Sequence, residues 1–330
     1  MKKLFAVFLM FFLLCFMALP SMAATKKINK IAIWSWDLNS SLLNQAYKGF
    51  LDGIEKDGLV AGKDIVIDTY DVKKDPASAA TMVEQVKAGN YDAICSVGTT
   101  GSKYLLEHGV TTPVLFSVVT DPVKSGIVAS LTETKNNFTG TSNKQSVEKQ
   151  ILSFKEVVPN VKRLGIIYKD AESNALVQVN EVNVAKEKLG FTEILTSPAK
   201  SVDELAAATE ALVGKVDAIF LPADTMVGSV DAEKIIKVAT AAKIPVFSAN
   251  EPPTTVGALT SLCSDYFKLG TQTWGMTKQV LGGQSPQTMP VQLQDVPNII
   301  VNLKAAEALG ITVPEEFFNK VTKVIEADSK

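Results

Sequence analysis

Reactive side chains are scarce in this chain of 330 residues, and none falls in a spacing that catalysis or metal binding requires. The single histidine, His108, stands in Glu107-His108-Gly109 at the end of a segment read as helix, where a solvated surface position is expected. Cys95 and Cys263 lie far apart in apolar, strand-like runs, where a thiol is ordinarily buried and unpaired. No clustered His/Cys set spells a metal site, no glycine-rich phosphate loop occurs, and no serine sits in a nucleophile elbow. The pattern points away from an enzyme, and neither cofactor nor metal is expected. The chemistry left is that of recognition: an indole, hydroxyls, amides and carboxylates in loops that follow β-rich runs.

Trp36-Asp37 follows the run 30–35. Trp34 and Trp36 share one strand face by the two-residue period, with Trp36 at the exposed end. Trp36 is therefore a candidate to stack on a flat ligand, with packing beneath its own loop the alternative, and Trp34 is assigned to the core. Gly98-Thr99-Thr100-Gly101-Ser102 follows the run 93–97 and opens a helix. Free N–H groups, aligned peptide dipoles and the hydroxyls of Thr99 and Thr100 together suit a carboxylate. Ordinary helix capping by either threonine is the alternative, and both roles can coexist. Arg163 is the only arginine and precedes a strand, so a bidentate guanidinium fork is not available at these loops.

Ser117 closes the run 114–118 and is a further contact candidate, while Asp121-Pro122 reads as turn chemistry. Later loops carry Asn174, then Asp224-Thr225, then Asn250-Glu251. A carboxylate among them could pair with a ligand ammonium, with Asp224 the first choice and Glu251 the second. Helix capping is the competing role for Asp224 and for Asn174.

The elements that position these loops follow from periodicity. Short apolar runs at 30–35, 65–70, 93–97 and 114–118 alternate with helical spacing at 39–55 and 76–88, the second entered through Asp75-Pro76. The rhythm restarts at 163–168 and continues through strands at 193–196, 218–221 and 246–248 and helices at 174–189, 202–212 and 229–242. Tyr91-Asp92-Ala93-Ile94 is echoed by Val216-Asp217-Ala218-Ile219, and Thr112-Pro113-Val114 by Ile244-Pro245-Val246. Two similar Rossmann-like α/β lobes with parallel sheets are expected. In such sheets ligands bind beyond the carboxyl ends of the strands.

Composition narrows the partners. The formal charge of −2 and the lack of a basic block exclude nucleic acid. Lys2 and Lys3, the apolar run 4–19 and Ser21-Met22-Ala23 form the three parts of a secretory signal, with cleavage expected after Ala23. That apolar run is shorter than the roughly 20 residues a spanning helix needs. A periplasmic or other extracytoplasmic location follows.

At the residues of the fourth run the chain resembles a known family. Ser117-Val118-Val119-Thr120-Asp121-Pro122-Val123, Gly126-Ile127-Val128 and Asn137-Phe138-Thr139-Gly140 are similar to a motif series of the ABC-transporter substrate-binding proteins of the type I periplasmic-binding-protein class, associated with predicted amino-acid uptake. The likeness continues through Glu172-Ser173-Asn174, Asp224-Thr225, residues 265–270 and Asn302-Leu303-Lys304. It implies two lobes joined by three crossover strands, one of residues 28–142 plus 265–290 and the other of 143–264 plus 291–330. It also implies a small-molecule ligand, best an apolar or aromatic amino acid, captured by lobe closure and passed by a monomer to a membrane permease. On this pattern Thr99 and Thr100 hold the α-carboxylate and Asp224 the amine. A sensory module for the same ligand, and a binder of a non-amino-acid solute, are the alternatives. Relatives often carry a His-Pro pair where this chain has Trp36-Asp37, so the ligand is the least transferable part.

Overall fold

The computed structural model describes residues 28–294 and 296–326; the expected signal segment, residues 1–23, lies outside them. The first lobe begins with β1 (Asn29–Ser35), α1 (Ser41–Lys56), β2 (Ile65–Asp71), α2 (Pro76–Ala88), β3 (Ala93–Val97), α3 (Thr99–Glu107), β4 (Val114–Ser117) and β5 (Phe138–Ser142). The second holds α4 (Val147–Val157), β6 (Arg163–Lys169), α5 (Ser173–Val184), β7 (Glu193–Ala199), α6 (Leu205–Glu210), β8 (Ala218–Leu221), α7 (Glu233–Ala241), β9 (Val246–Ser248), α8 (Glu251–Thr255) and β10 (Thr260–Cys263). The chain then returns through α9 (Tyr266–Leu281) and β11 (Gln292–Leu293) before β12 (Asn298–Asn302), α10 (Leu303–Leu309) and β13 (Lys323–Ile325).

The sheets run β11-β5-β4-β3-β1-β2 and β13-β12-β10-β9-β8-β6-β7. Their central strands β3, β4 and β8 are buried along their whole length, as the continuous apolar runs require of strands covered by helices on both faces. Every pairing in the first sheet is parallel. The second sheet departs from the expected all-parallel form at one place, where β10 and β12 are antiparallel. The chain leaves that sheet along β10 and re-enters it along β12, so the two must run in opposite directions. Three segments, around 142–147, 263–266 and 293–298, carry the chain between the sheets. Gln292 and Leu293 pair with Thr141 and Ser142, so the first sheet extends past the boundary expected at residue 290.

Strand order reverses once in each sheet. From β1 the first sheet grows outward to β2 and then on the other side to β3; from β6 the second grows to β7 and then to β8. At such a reversal the connecting loops diverge to opposite faces and leave a crevice beyond the strand ends. The loops after β1 and β3 therefore flank one crevice, and those after β6 and β8 the other.

Helix α9 returns to cover the first sheet against α1, and the two backbones nearly touch. A Cβ added at Gly270 would lie 2.0 Å from the Ala46 carbonyl oxygen, and one added at Gly49 would lie 2.0 Å from that of Phe267. The long return helix is thereby seated by backbone contact. Beside it, the Thr273 hydroxyl donates to Ser117 Oγ at 3.1 Å and lies 2.8 Å from Thr141 Oγ1, binding α9 to β4 and β5. Replacing Gly270 with Ala should overpack this contact and cost about 1–3 kcal/mol. Urea unfolding reads the change, and an unaltered midpoint would mean that α1 and α9 separate freely.

Candidate functional site

The two crevices face each other around a cavity of about 230 Å³. From the first lobe it is lined by Trp36, Asp37, Thr99 and Thr100; from the second by Asn174, Asp224 and Thr225. Seven of the ten residues singled out from sequence thus meet around one space.

On the first-lobe side, the loop after β1 is pinned at both ends. Asp37 Oδ1 accepts the Asn39 N–H at 3.1 Å, and the Leu38 N–H donates to Asp71 at 2.9 Å. Asp37 Oδ2 receives Lys74 Nζ at 2.6 Å. The half-buried Trp36 ring tilts against Tyr104 with centroids 5.6 Å apart. Tyr104 in turn stacks on the fully buried Trp34 and on the exposed His108. Gly98 enters α3 with a φ of 87°, the left-handed region that a side chain would strain. That turn places Thr99, Thr100 and Gly101 on the cavity lining, and no side chain caps the first N–H groups of α3. The Thr99 hydroxyl is partly spent, since it accepts the Thr120 N–H at 3.4 Å. Thr100 is exposed at the helix start.

On the second-lobe side, the loops after β6 and β8 lock together through two carboxylates. Asp224 Oδ1 accepts the N–H groups of Met226 and Val227, each at 2.7 Å, and Oδ2 accepts that of Lys169 at 2.7 Å. One acceptor position on Oδ2 is left. Glu172 accepts the Thr225 N–H at 2.9 Å and the Thr225 hydroxyl, and Lys169 Nζ lies 3.0 Å from it. Burial, and secondly the Glu172 charge, push the Asp224 carboxyl up to about 7, against the lowering effect of its three backbone donors. Asp224 borders the cavity and closes the turn after β8, while the helix cap considered for it falls to Ser229, which accepts the Asp231 N–H at 3.1 Å. Asn174 donates to the Ala223 carbonyl oxygen at 2.5 Å, which holds the start of α5 against the same loop.

Three expected contacts lie elsewhere, their side chains engaged by partners within the fold, although Val118 and Thr120 just after β4 do line the cavity. Ser117 is fully buried beneath the site, its hydroxyl accepting from Thr273. Asn250 is also fully buried, and its Oδ1 accepts the Tyr266 hydroxyl at 2.9 Å. Glu251 turns away and pairs with Lys323 at 2.7 Å. Conversely, Lys74, Lys169, Glu172 and Tyr266 line the cavity without having been chosen as site residues. Glu172 had left a trace: it occupies the cap position of α5, where Ser, Thr, Asp or Asn is usual, and it does not cap. Cys95 and Cys263 are free and buried in different sheets.

Outside the cavity a charged cluster spans the lobes. Lys124, in the loop after β4, meets Glu181 of α5 at 2.5 Å, and Lys144 of the crossover meets Asp121 at 2.5 Å. Among the described residues no helix is long and apolar enough to cross a membrane, and no group of three His, Cys, Asp or Glu side chains could hold a metal.

Residues 30–325 match the sequence profile of the family described as ABC transporter substrate binding protein. A tyrosine-binding protein of Clostridioides difficile is 30% identical over 269 residues, which cover 82% of this chain and 77% of that protein. The ABC domain from Streptococcus pneumonia solved with L-Trp superposes with a TM-score of 0.84 at 29% identity, over 91% of this chain and 100% of the other. A ligand-free, open substrate-binding protein with adhesive properties from Clostridium difficile gives 0.72 at 30% identity, with the same coverage. The greater overlap with the liganded structure agrees with two lobes meeting around a cavity. The chain belongs to the ABC transporter substrate-binding family and has the type I periplasmic-binding-protein fold; the family consists of extracytoplasmic substrate-binding proteins rather than enzymes.

The raised Asp224 carboxyl makes stability depend on pH. Between about pH 4 and 7 the folded protein holds this proton more firmly than the unfolded chain does, so this residue's contribution falls as pH rises through that window. Asp224→Asn should remove on the order of 1–3 kcal/mol of the stability difference between pH 4.5 and pH 8. Chemical denaturation at the two pH values measures it, and equal slopes for the two proteins would refute the assignment.

Proposed function

We propose that this member of the substrate-binding family captures an aromatic amino acid between its lobes and delivers it to an ABC permease. The observation that carries the reading is the meeting of complementary half-sites at the two strand-order reversals. Uncapped N–H groups of α3, with Thr99 and Thr100, receive the α-carboxylate. The remaining acceptor position of Asp224 receives the ammonium, and Trp36 packs on the ring. The names of two similar proteins, one tyrosine-binding and one solved with L-Trp, support this ligand class.

Each half-site alone is poor: N–H groups without a cation-binding partner on one side, carboxylates on the other. A ligand that bonds both favours the closed arrangement by its differential contact, and this contact shifts the population. The closed outline is the form the permease reads. The lobes comprise residues 28–142 with 265–290, extended through 293, and 143–264 with the remainder. Secretion through a signal cleaved after Ala23 brings the chain, as a monomer, to the outer side of the membrane.

Mass spectrometry of the small molecule that co-purifies with the native protein should return an aromatic amino acid, and a sugar or nucleoside would overturn the ligand class. Trp36→Ala should weaken that ligand by about 1 kcal/mol, roughly fivefold, in calorimetric titration. Affinity should rise with pH through about 7, as Asp224 gives up its proton to accept the ammonium. A pH-independent affinity between 5.5 and 8 would remove Asp224 from the ammonium site. Solution scattering should show compaction on ligand addition.

A further inference from the structure

We infer that Lys74 determines specificity: held on Asp37, its ammonium occupies the place of a second ligand cation and restricts the cavity to amino acids with uncharged side chains. The inference rests on the reading of this cavity as an amino-acid site and adds a selection rule to it.

Six titratable residues border the cavity: Asp37, Lys74, Lys169, Glu172, Asp224 and Tyr266. Two of the three carboxylates have a fixed lysine, Lys74 on Asp37 at 2.6 Å and Lys169 on Glu172 at 3.0 Å. Asp224 has backbone donors only. The site therefore presents one carboxylate without a cation and one cluster of free N–H groups, which is the charge demand of a zwitterion and nothing more. A basic side chain would find no carboxylate to meet it, and burying it unmet is costly. An acidic side chain would find both lysines engaged.

Asp37 is the carboxylate whose pairing is optional in chemistry but not in burial. It is 4% exposed, one oxygen is engaged by the Asn39 N–H, and the other is met by Lys74. With a single backbone donor, against three on Asp224, the Asp37 carboxylate is stabilised by a positive partner, and one from the ligand would serve as well as one from the protein. The chain supplies its own from an awkward position. Lys73 and Lys74 have φ values of 55° and 61°, a left-handed pair in the loop between β2 and α2. Non-glycine residues reach this region at a cost of about 1–2 kcal/mol each. The conformation is held by the Lys74 N–H donating to the Trp36 carbonyl oxygen at 2.9 Å, in register with Asp37. The Lys74 side chain is 54% exposed and comes to the carboxylate from the solvent side, so its removal opens that position without emptying the core.

The test titrates the protein and its Lys74→Met and Asp37→Asn variants with phenylalanine, tyrosine, tryptophan, lysine, arginine and glutamate. The parent protein should bind neutral aromatic amino acids at least 100-fold more tightly than lysine or arginine. Lys74→Met should gain at least tenfold in affinity for lysine or arginine. Asp37→Asn, which keeps the cavity filled and frees the Lys74 ammonium, should gain likewise for glutamate and not for lysine. The double variant Asp37→Asn with Lys74→Met should gain for neither. Asp37→Asn keeps the inference exposed should Lys74→Met fold poorly. A parent protein that binds no amino acid overturns the functional reading and this inference with it. A parent that binds aromatic amino acids, with single variants that acquire no charged ligand, overturns this inference alone.

Discussion

The site depends on a constraint of sheet topology: the chain lays each sheet down outward from an inner strand, first to one side and then to the other. Loops that leave neighbouring strand ends in opposite directions cannot close over each other, so a gap persists there whatever the side chains are. The residues after β1 and β3, and after β6 and β8, inherit that gap. Their identities then decide what fills it. Gly98 turns sharply enough to place a helix start on the lining of that space, and the half-buried Trp36 supplies a flat apolar wall.

A second requirement follows from placing charge in such a gap. Carboxylates at a meeting of two lobes lose water and must be held by donors that do not move when the ligand leaves. Asp224 and Glu172 meet this by bonding each other's loops: Asp224 takes the Lys169 N–H, and Glu172 takes the N–H and hydroxyl of Thr225. The second-lobe wall is thus rigid across two separate connections. The first-lobe wall is held more loosely, by the Asp37–Lys74 pair and single backbone bonds. Rigidity on one side and adjustability on the other suit a site that must fit its guest on closing.

Much of this was legible in the chain. The strands at 93–97, 218–221 and 246–248 and the helix at 76–88 agree with the structure to the residue, because continuous apolar runs mark the strands and Asp75-Pro76 marks the helix start. The helices expected at 202–212 and 229–242 open instead with 3₁₀ turns, and the one at 174–189 ends at Val184. Seven of the ten chosen residues border the cavity because the rule that strand ends bind ligands needs only strand positions. Ser117 ends β4, and Asn250 and Glu251 follow β9; what sets them apart is that Thr273, Tyr266 and Lys323 engage their side chains, partners that periodicity does not reveal. Lys74 and Lys169 carry no mark of the site in the sequence for a related reason. A lysine beside a strand reads as solvated surface until its carboxylate partner, distant in sequence or on a neighbouring turn, is brought alongside.

The distribution of indoles has an optical consequence. Of the three tryptophans, Trp34 is fully buried and Trp274 is sequestered on the far side of α9 with its N–H on Asp57; only Trp36 borders the cavity. Intrinsic emission from this protein therefore contains two nearly constant components and one that responds to what sits beside it. For any guest that does not itself fluoresce at those wavelengths, occupancy can be followed in real time without attaching a dye.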